Sequence, residues 1–362
     1  MSTPLLRELG ALIAAEGPIT VERYMALCLG HPVHGYYRTR DPLGASGDFT
    51  TAPEISQMFG ELIGLWAAAV WDGMGRPSPV RLVELGPGRG TLMRDALRAV
   101  AAAAPAFRAA LDLHLVETSP PLRAAQAEAL RAAGPAWHDD VDAVRGGPAI
   151  VLANEFFDAL PARQLVRDRG AWRERLVGLD GDRLVFGLAA EPDRTVTAAA
   201  PEGSVLTLGR AAAEVAGAIA ARLAHDGGAL LAIDYGHDRP GLGDTLQAVA
   251  AHRFADPLEA PGEADLTVHV DFSALARAVR AAGAVPQGPV SQGDFLRALG
   301  LDQRAARLTR DAPPERVAAV EAARARLVAE GPRGMGRLFK VLGAASPGLA
   351  LPGLTLSETL SA

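Results

Sequence analysis

Cysteine is almost missing from this chain. Only Cys28 carries a thiol, which excludes an intrachain disulfide and a cysteine-based zinc cluster and suits a reducing cytosol. Lysine is equally scarce, with Lys340 the single one, while Ala and Arg are abundant, a bias of GC-rich bacterial coding. No apolar run reaches membrane-spanning length without interruption, so no membrane insertion is expected. The first residues have neither a signal-peptide core and cleavage site nor an Arg/Ser-rich transit character. Positive charge is in deficit, and the net charge of −6 argues against nucleic acid as a partner. A protein presenting arginine remains compatible with it. What is present is a 49% hydrophobic, 22% charged chain of 362 residues, enough for a sizeable core with additions. The expectation is a bacterial cytoplasmic protein.

One stretch organises the rest: Val80 to Leu92, VRLVELGPGRGTL. A short apolar strand, Val80 to Val83, meets Glu84, a turn through Gly86, Pro87, Gly88 and Gly90 follows, and a helix starts near Thr91. Glycines admit a ligand close to the backbone, and a helix N-terminus presents free N–H groups. A P-loop is excluded, because no Gly-Lys-Ser/Thr follows. A dinucleotide site would space its glycines G-x-G-x-x-G around a pyrophosphate. Here they read G-x-G-x-G, and the Glu84 carboxylate suits a cationic amino-acid moiety better than a pyrophosphate. The arrangement resembles the first motif of class I S-adenosylmethionine methyltransferases.

Residues 1–79 read as a helical N-terminal segment: a helix from Leu5 to Ala15, a second capped by Thr20 and ended by Gly30, and a third beginning at Pro53. Between them His31 to Thr51 reads as an ordered binding loop. From Val80 strands and helices alternate, the sign of a parallel sheet with crossover helices. Further strands are expected at Leu111 to Val116, near Trp137, at Ala149 to Ala153, at Ala229 to Ile233 and at Arg337 to Leu342. Residues 160–207 read as inserted antiparallel hairpins, residues 237–330 as a substrate-side region and residues 344–362 as a peripheral tail.

Ligands of an open α/β sheet bind beyond the carboxyl ends of its strands, and the polar residues fall there in order. Glu84 ends the first strand. Glu117 ends the second, where a carboxylate can accept both ribose hydroxyls. Asp139 and Asp140 follow the third, where an adenine amino group can be met. Asn154 and Glu155 end the fourth, and Asp234 the fifth. In ANEFFDALP (Ala153 to Pro161) Glu155 and Asp158 suit a guanidinium acceptor, whose planar fork a carboxylate matches bidentately and whose proton it can take. His31 and His34 with Asp41 and Asp48 do not complete a metal set. Asp271 reads as a helix cap.

Five motifs together resemble the MidA family of S-adenosylmethionine-dependent methyltransferases: GDFTTAPEISQMFGELIGLW (Gly47 to Trp66), ELGPGRGTL, ANEFFDALP, IDYGH (Ile233 to His237) and ADLTVHVDFSAL (Ala264 to Leu275). The resemblance implies a class I methyltransferase fold: an α/β, Rossmann-like, seven-stranded and mostly parallel sheet. It implies S-adenosyl-L-methionine as cofactor and symmetric dimethylation of an arginine on the 49-kDa-type subunit of respiratory complex I. By the same resemblance Glu84, Gly86, Pro87, Gly88 and Gly90 hold the methionine part and Glu117 the ribose. Gly47, Asp48, Phe49, Thr50 and Thr51 would close over the cofactor. Asn154, Glu155 and Asp158 would face the acceptor, with His269 and Asp271 as further candidates for the cleft.

Overall fold

The computed structural model describes residues 3–39, 51–331 and 334–354. Its centre is a sheet of seven main strands: β1 (Val80–Leu85), β2 (Leu111–Val116), β3 (Ala136–His138), β4 (Ala149–Asn154), β5 (Gly228–His237), β6 (Val285–Ser291) and β7 (Phe339–Ala345). Their spatial order is β3-β2-β1-β4-β5-β7-β6, parallel except for β7, which runs antiparallel to both neighbours. A two-residue strand, Val270–Asp271, extends the end of β5.

The central strands are apolar throughout because both faces are covered. Val80 and Leu82 face one core with the helices Gln57–Gly73 and Thr91–Ala103, whereas Val83 and Leu85 face the other with Arg210–Asp226 and Phe272–Ala281. The order of β1 next to β4 makes a crossover there, so the loops after β1 and β4 part and leave a crevice between them.

Residues 160–207 do form antiparallel structure. Arg163–Asp168, Ala171–Asp180, Arg183–Asp193 and Val205–Leu208 make a sheet that Ile19–Thr20 joins from the N-terminal side. The stretch expected as one helical segment divides between two cores. Pro4–Glu16 and Val21–Gly30 send Leu5, Leu9, Tyr24 and Met25 into a third cluster with Val177 of the insertion and Leu266, while Gln57–Gly73 lies on the main sheet. Thr20 caps its helix as expected, its Oγ1 accepting from the Arg23 amide at 3.1 Å.

Four details depart from the sequence reading. The helix expected to run on from Pro53 is broken at Ser56, whose extended backbone and Oγ start a fresh helix at Gln57 by accepting from Met58 N. Strand β6, VPQGPVS, was hidden by its two prolines and glycine, which an edge strand with a bulge tolerates. The loop-rich stretch before Asp271 contains a small sheet of Gln247–Ala250, Arg253–Ala255 and Asp265–Thr267. Finally, the residues after Gly343 are not all peripheral: β7 runs to Ala345, Leu351 is buried, and the Pro352 carbonyl accepts from Trp66 Nε1 at 3.1 Å.

Candidate active site

A cavity of about 460 Å³ opens at the carboxyl ends of β1, β2, β3 and β4. Each strand end delivers the residue that its sequence position predicts: Glu84 and the Gly86-Pro87-Gly88 turn from β1, Glu117 from β2, Asp139 and Asp140 after β3, and Asn154 and Glu155 at β4. Thr51, Pro53 and Glu54 close the side that comes from the N-terminal segment, together with Tyr37. Among the described residues the wall carries seven acids, Glu54, Glu84, Glu117, Asp139, Asp140, Asp142 and Glu155, against one arginine, Arg89. Such a wall favours cationic ligands.

Glu84 is buried, and its Oε2 has no hydrogen-bond partner among the described residues. Burial alone pushes its carboxyl up to about 8. An unpaired buried carboxylate facing a cavity fits an ammonium group, which would supply the missing donor. The turn beyond it is tight. Gly86 has φ of 58°, and a Cβ there would meet Phe156 Cδ2 at 3.2 Å, so the Phe156 ring and the glycine turn close on each other across the crevice.

Glu117 accepts from the Ser119 amide at 2.8 Å through Oε1 and from Gln126 Nε2 at 3.3 Å through Oε2. Gln126, fully buried, also donates to the Gly88 carbonyl at 2.7 Å and accepts from Trp137 Nε1 at 2.9 Å. One amide thus locks the glycine turn to the acid of β2. Arg38 adds a bond to the Thr118 carbonyl. Of the third pair, Asp139 receives Arg123 Nη2 at 2.7 Å and Asp140 accepts from Ala143 N at 2.9 Å.

Glu155 follows β4 with φ of 52°, a left-handed conformation that a non-glycine residue seldom adopts outside constrained sites. Its Oε1 accepts from Ala52 N at 3.1 Å and Asn154 Nδ2 at 3.2 Å. Asn154 Oδ1 is buried and unpartnered among the described residues. Burial, followed by the nearby Asp158 charge, pushes the Glu155 carboxyl up to about 8.

Other expected residues sit elsewhere. Asp158 is not on the cavity wall; it is buried behind Glu155 because the chain turns it inward. Gly90 starts the Thr91 helix with φ of 79° and does not line the cavity. Gly47, Asp48, Phe49 and Thr50 lie outside the described residues. Asp234 accepts the amides of Phe157 and Asp158 and so supports the turn from beneath. Asp271 caps its helix through the Ala274 amide at 3.0 Å, and His269 packs edge-on against Tyr235, outside the cavity lining. His31 and His34 both bond the Glu8 carboxylate. Sequence reasoning missed Glu54, Thr91 and Gln126, and had Tyr37 only as part of the binding loop from His31 to Thr51. Gln126 had a signal, a polar residue one turn after Leu122 on the buried stripe of its helix.

Comparison with known proteins decides the chemistry. The family described as "Putative S-adenosyl-L-methionine-dependent methyltransferase" matches residues 62–290. The chain belongs to that family. The methyltransferase is 39% identical to "Protein arginine methyltransferase NDUFAF7, mitochondrial" of Danio rerio, over 83% of this chain and 77% of the relative. Its Drosophila melanogaster homolog is 38% identical over 93% and 84%. A crystal structure from Burkholderia thailandensis bound to S-adenosyl-homocysteine superposes with a TM-score of 0.83 at 31% identity, covering 96% of this chain and 92% of that one. The methyltransferase therefore uses S-adenosyl-L-methionine, on a Rossmann-like sheet of the class I order. Among its described residues no helix is long and apolar enough to cross a membrane.

Proposed function

We propose that this methyltransferase transfers its methyl group to a guanidinium nitrogen of an arginine on a protein partner. The observation that carries the reading is Glu155: a half-buried carboxylate without a cationic partner among the described residues, fixed by Ala52 and Asn154 where the cavity passes β4. Relatives named protein arginine methyltransferases support it.

Glu84 would receive the ammonium of the cofactor's methionine part, with Gly86, Pro87 and Gly88 beside it. Glu117 accepts the ribose hydroxyls, Asp139 and Asp140 meet the adenine edge, and Thr51 covers from the N-terminal side. The cofactor, when bound, supplies an electrophilic methyl on a positively charged sulfur. Asn154 and Glu155 hold the guanidinium by charge-assisted hydrogen bonds and orient one nitrogen toward that carbon. Glu155 takes the proton that this nitrogen sheds. Acidic walls favour both cationic reactants.

At the finer level we assign symmetric dimethylation of an arginine on the 49-kDa-type subunit of complex I, with the inserted antiparallel sheet choosing the partner and the reaction running in the bacterial cytoplasm. Incubation with methyl-labelled cofactor and that subunit, followed by mass spectrometry of arginine peptides, tests it. Symmetric dimethylarginine on one peptide is expected. Tight binding of the subunit without label would overturn it in favour of an assembly chaperone, and label only in small molecules would overturn the protein substrate.

A further inference from the structure

Of the large apolar side chains exposed among the described residues, Phe254 is the most open, at 80%. It stands on the hairpin of Gln247–Ala250 and Arg253–Ala255, whose turn residues Ala251 and His252 have φ of 49° and 60°. Two left-handed residues make a tight turn of the kind usually given to Asn-Gly, so the ring is carried on a defined hairpin and not on a long loop. Register decides which way it faces. Ala248 pairs with both Ala255 and Leu266, and that face packs into the third cluster with the N-terminal helices. Val249 pairs with Phe254 on one side and Asp265 on the other, so these three share the opposite face. There Asp265 Oδ1 accepts from the Tyr37 hydroxyl at 2.7 Å, and Tyr37 lines the cavity. The row Tyr37, Asp265, Val249, Phe254 thus leads outward from the cavity wall: buried at Asp265, half-buried at Val249, open at Phe254. With strands about 4.8 Å apart, the Cα of Phe254 lies roughly 10 Å from that of Asp265. Two features bear on what covers the ring. Among the described residues Arg253–Ala255 pairs with Gln247–Ala250 alone, which leaves its outer edge for an extended chain to bond. The stretch that follows, Asp256 to Glu263, exposes Asp256, Glu259 and Glu263 and contains no base, in keeping with the acidic cavity wall. Arg253 shares the opposite face with Ala250. The complementary occupant is therefore an extended segment that is apolar at one residue and cationic nearby.

We propose that the Phe254 hairpin docks an extended segment of the protein partner, seating one of its apolar side chains against the ring while an arginine within roughly six residues of it enters the cavity. This rests on the arginine reading above and deepens it by naming where the chain beside the acceptor is held. An extended segment advances about 3.3 Å per residue, so the row from Asp265 to Phe254 takes roughly three residues and the step from Asp265 into the cavity takes the rest. The ring supplies affinity and takes no part in methyl transfer.

The test measures binding of the purified 49-kDa-type subunit to the full-length enzyme with S-adenosyl-homocysteine bound, so no methyl is transferred. Phe254→Ser should weaken binding roughly tenfold or more, with the affinity for S-adenosyl-homocysteine unchanged. Leu65→Ser, at an exposed apolar residue of the helix Gln57–Gly73, should leave subunit binding as it is. In a second arm p-benzoylphenylalanine replaces Phe254, and the photo-crosslinked peptide, mapped by mass spectrometry, should hold an arginine within roughly six residues of the crosslink. Unchanged binding by Phe254→Ser, an equal loss in Leu65→Ser, or a crosslinked peptide with no arginine in that range overturns the docking site. Failure of the wild type to bind the subunit overturns it together with that partner. Self-association of the enzyme that Phe254→Ser abolishes gives the ring to a second copy and overturns it too. The arginine reading fails separately: binding that depends on Phe254 without methylarginine in the labelling experiment leaves the docking site standing, whereas methylarginine with unchanged binding by Phe254→Ser removes the docking site alone.

Discussion

Replacing Glu84 by Gln is predicted to stabilise the free enzyme while weakening its grip on the cofactor, because one buried carboxyl governs both. Its folded value near 8 against an ordinary 4.5 means that the native state resists ionising it. A carboxyl raised in this way contributes stability that is fully present below about 4.5 and lost progressively as the pH climbs to about 8. At pH 7 the unfolded chain is ionised there and the native one is not. At about 1.36 kcal/mol per pH unit over the interval from 4.5 to 7, the native state forfeits roughly 3 kcal/mol. Glu84→Gln keeps the shape without the charge and should recover much of that at pH 7 and none at pH 4. Binding reverses the sign. An ammonium beside the carboxyl draws off its proton, and loss of that charge-assisted bond, about 1.5–3 kcal/mol, weakens cofactor affinity roughly 10- to 100-fold. Calorimetry with S-adenosyl-homocysteine in two buffers of different ionisation enthalpy counts the protons. With a value near 8, about nine-tenths of a proton should leave wild type at pH 7 and be missing from the variant. Equal proton counts with affinities within about a factor of two would refute the assignment of Glu84 to the ammonium.

Glu155→Gln should leave S-adenosyl-homocysteine affinity unchanged in calorimetry yet reduce methyl transfer at least roughly 100-fold, since the base and the guanidinium anchor go together; a loss confined to KM would contradict it. Gly86→Ala forces a left-handed alanine and a contact of 3.2 Å with Phe156, so cofactor affinity measured by calorimetry should fall while the melting temperature shifts by only a few degrees. Gln126→Ala frees the Gly88 carbonyl and Glu117 at once, and steady-state kinetics should show a raised KM for the cofactor with a smaller change in kcat. Glu61 is buried, which alone would raise its carboxyl, yet Arg304 and Arg98 outweigh that and hold it below its usual value. The strut thus stabilises above the ordinary carboxylate range and weakens as the pH falls through it. Arg304→Ala, which removes bonds of 2.6 and 3.0 Å, should lower stability by roughly 1–3 kcal/mol in urea titrations at pH 7.

The strand ends were legible because a parallel sheet buried on both faces writes itself as short apolar runs, and the first polar residue after each run must lie at the carboxyl edge. Glu84, Glu117 and Asn154 are placed by that rule alone. Asp158 escaped it: its sequence position beside Glu155 says nothing about the pin from Asp234, 76 residues away, that turns it inward. Gln126 showed only its place on a buried helical stripe, and its role could not be read from that, since its three partners come from separate elements. Strand β6 contradicts ordinary strand composition and exists only because β7 offers it an edge. The division of the N-terminal segment followed from contacts with the insertion and with Leu266, which helical periodicity cannot anticipate.

A crystal structure with sinefungin, whose amine stands where the transferred methyl would be, tests the central claim most directly. Its amino-acid ammonium is expected within hydrogen-bond reach of Glu84, its ribose on Glu117, and the amine that replaces the methyl turned toward Asn154 and Glu155. An amine turned toward solvent or toward Asp139 and Asp140, with Glu155 out of reach, would contradict it.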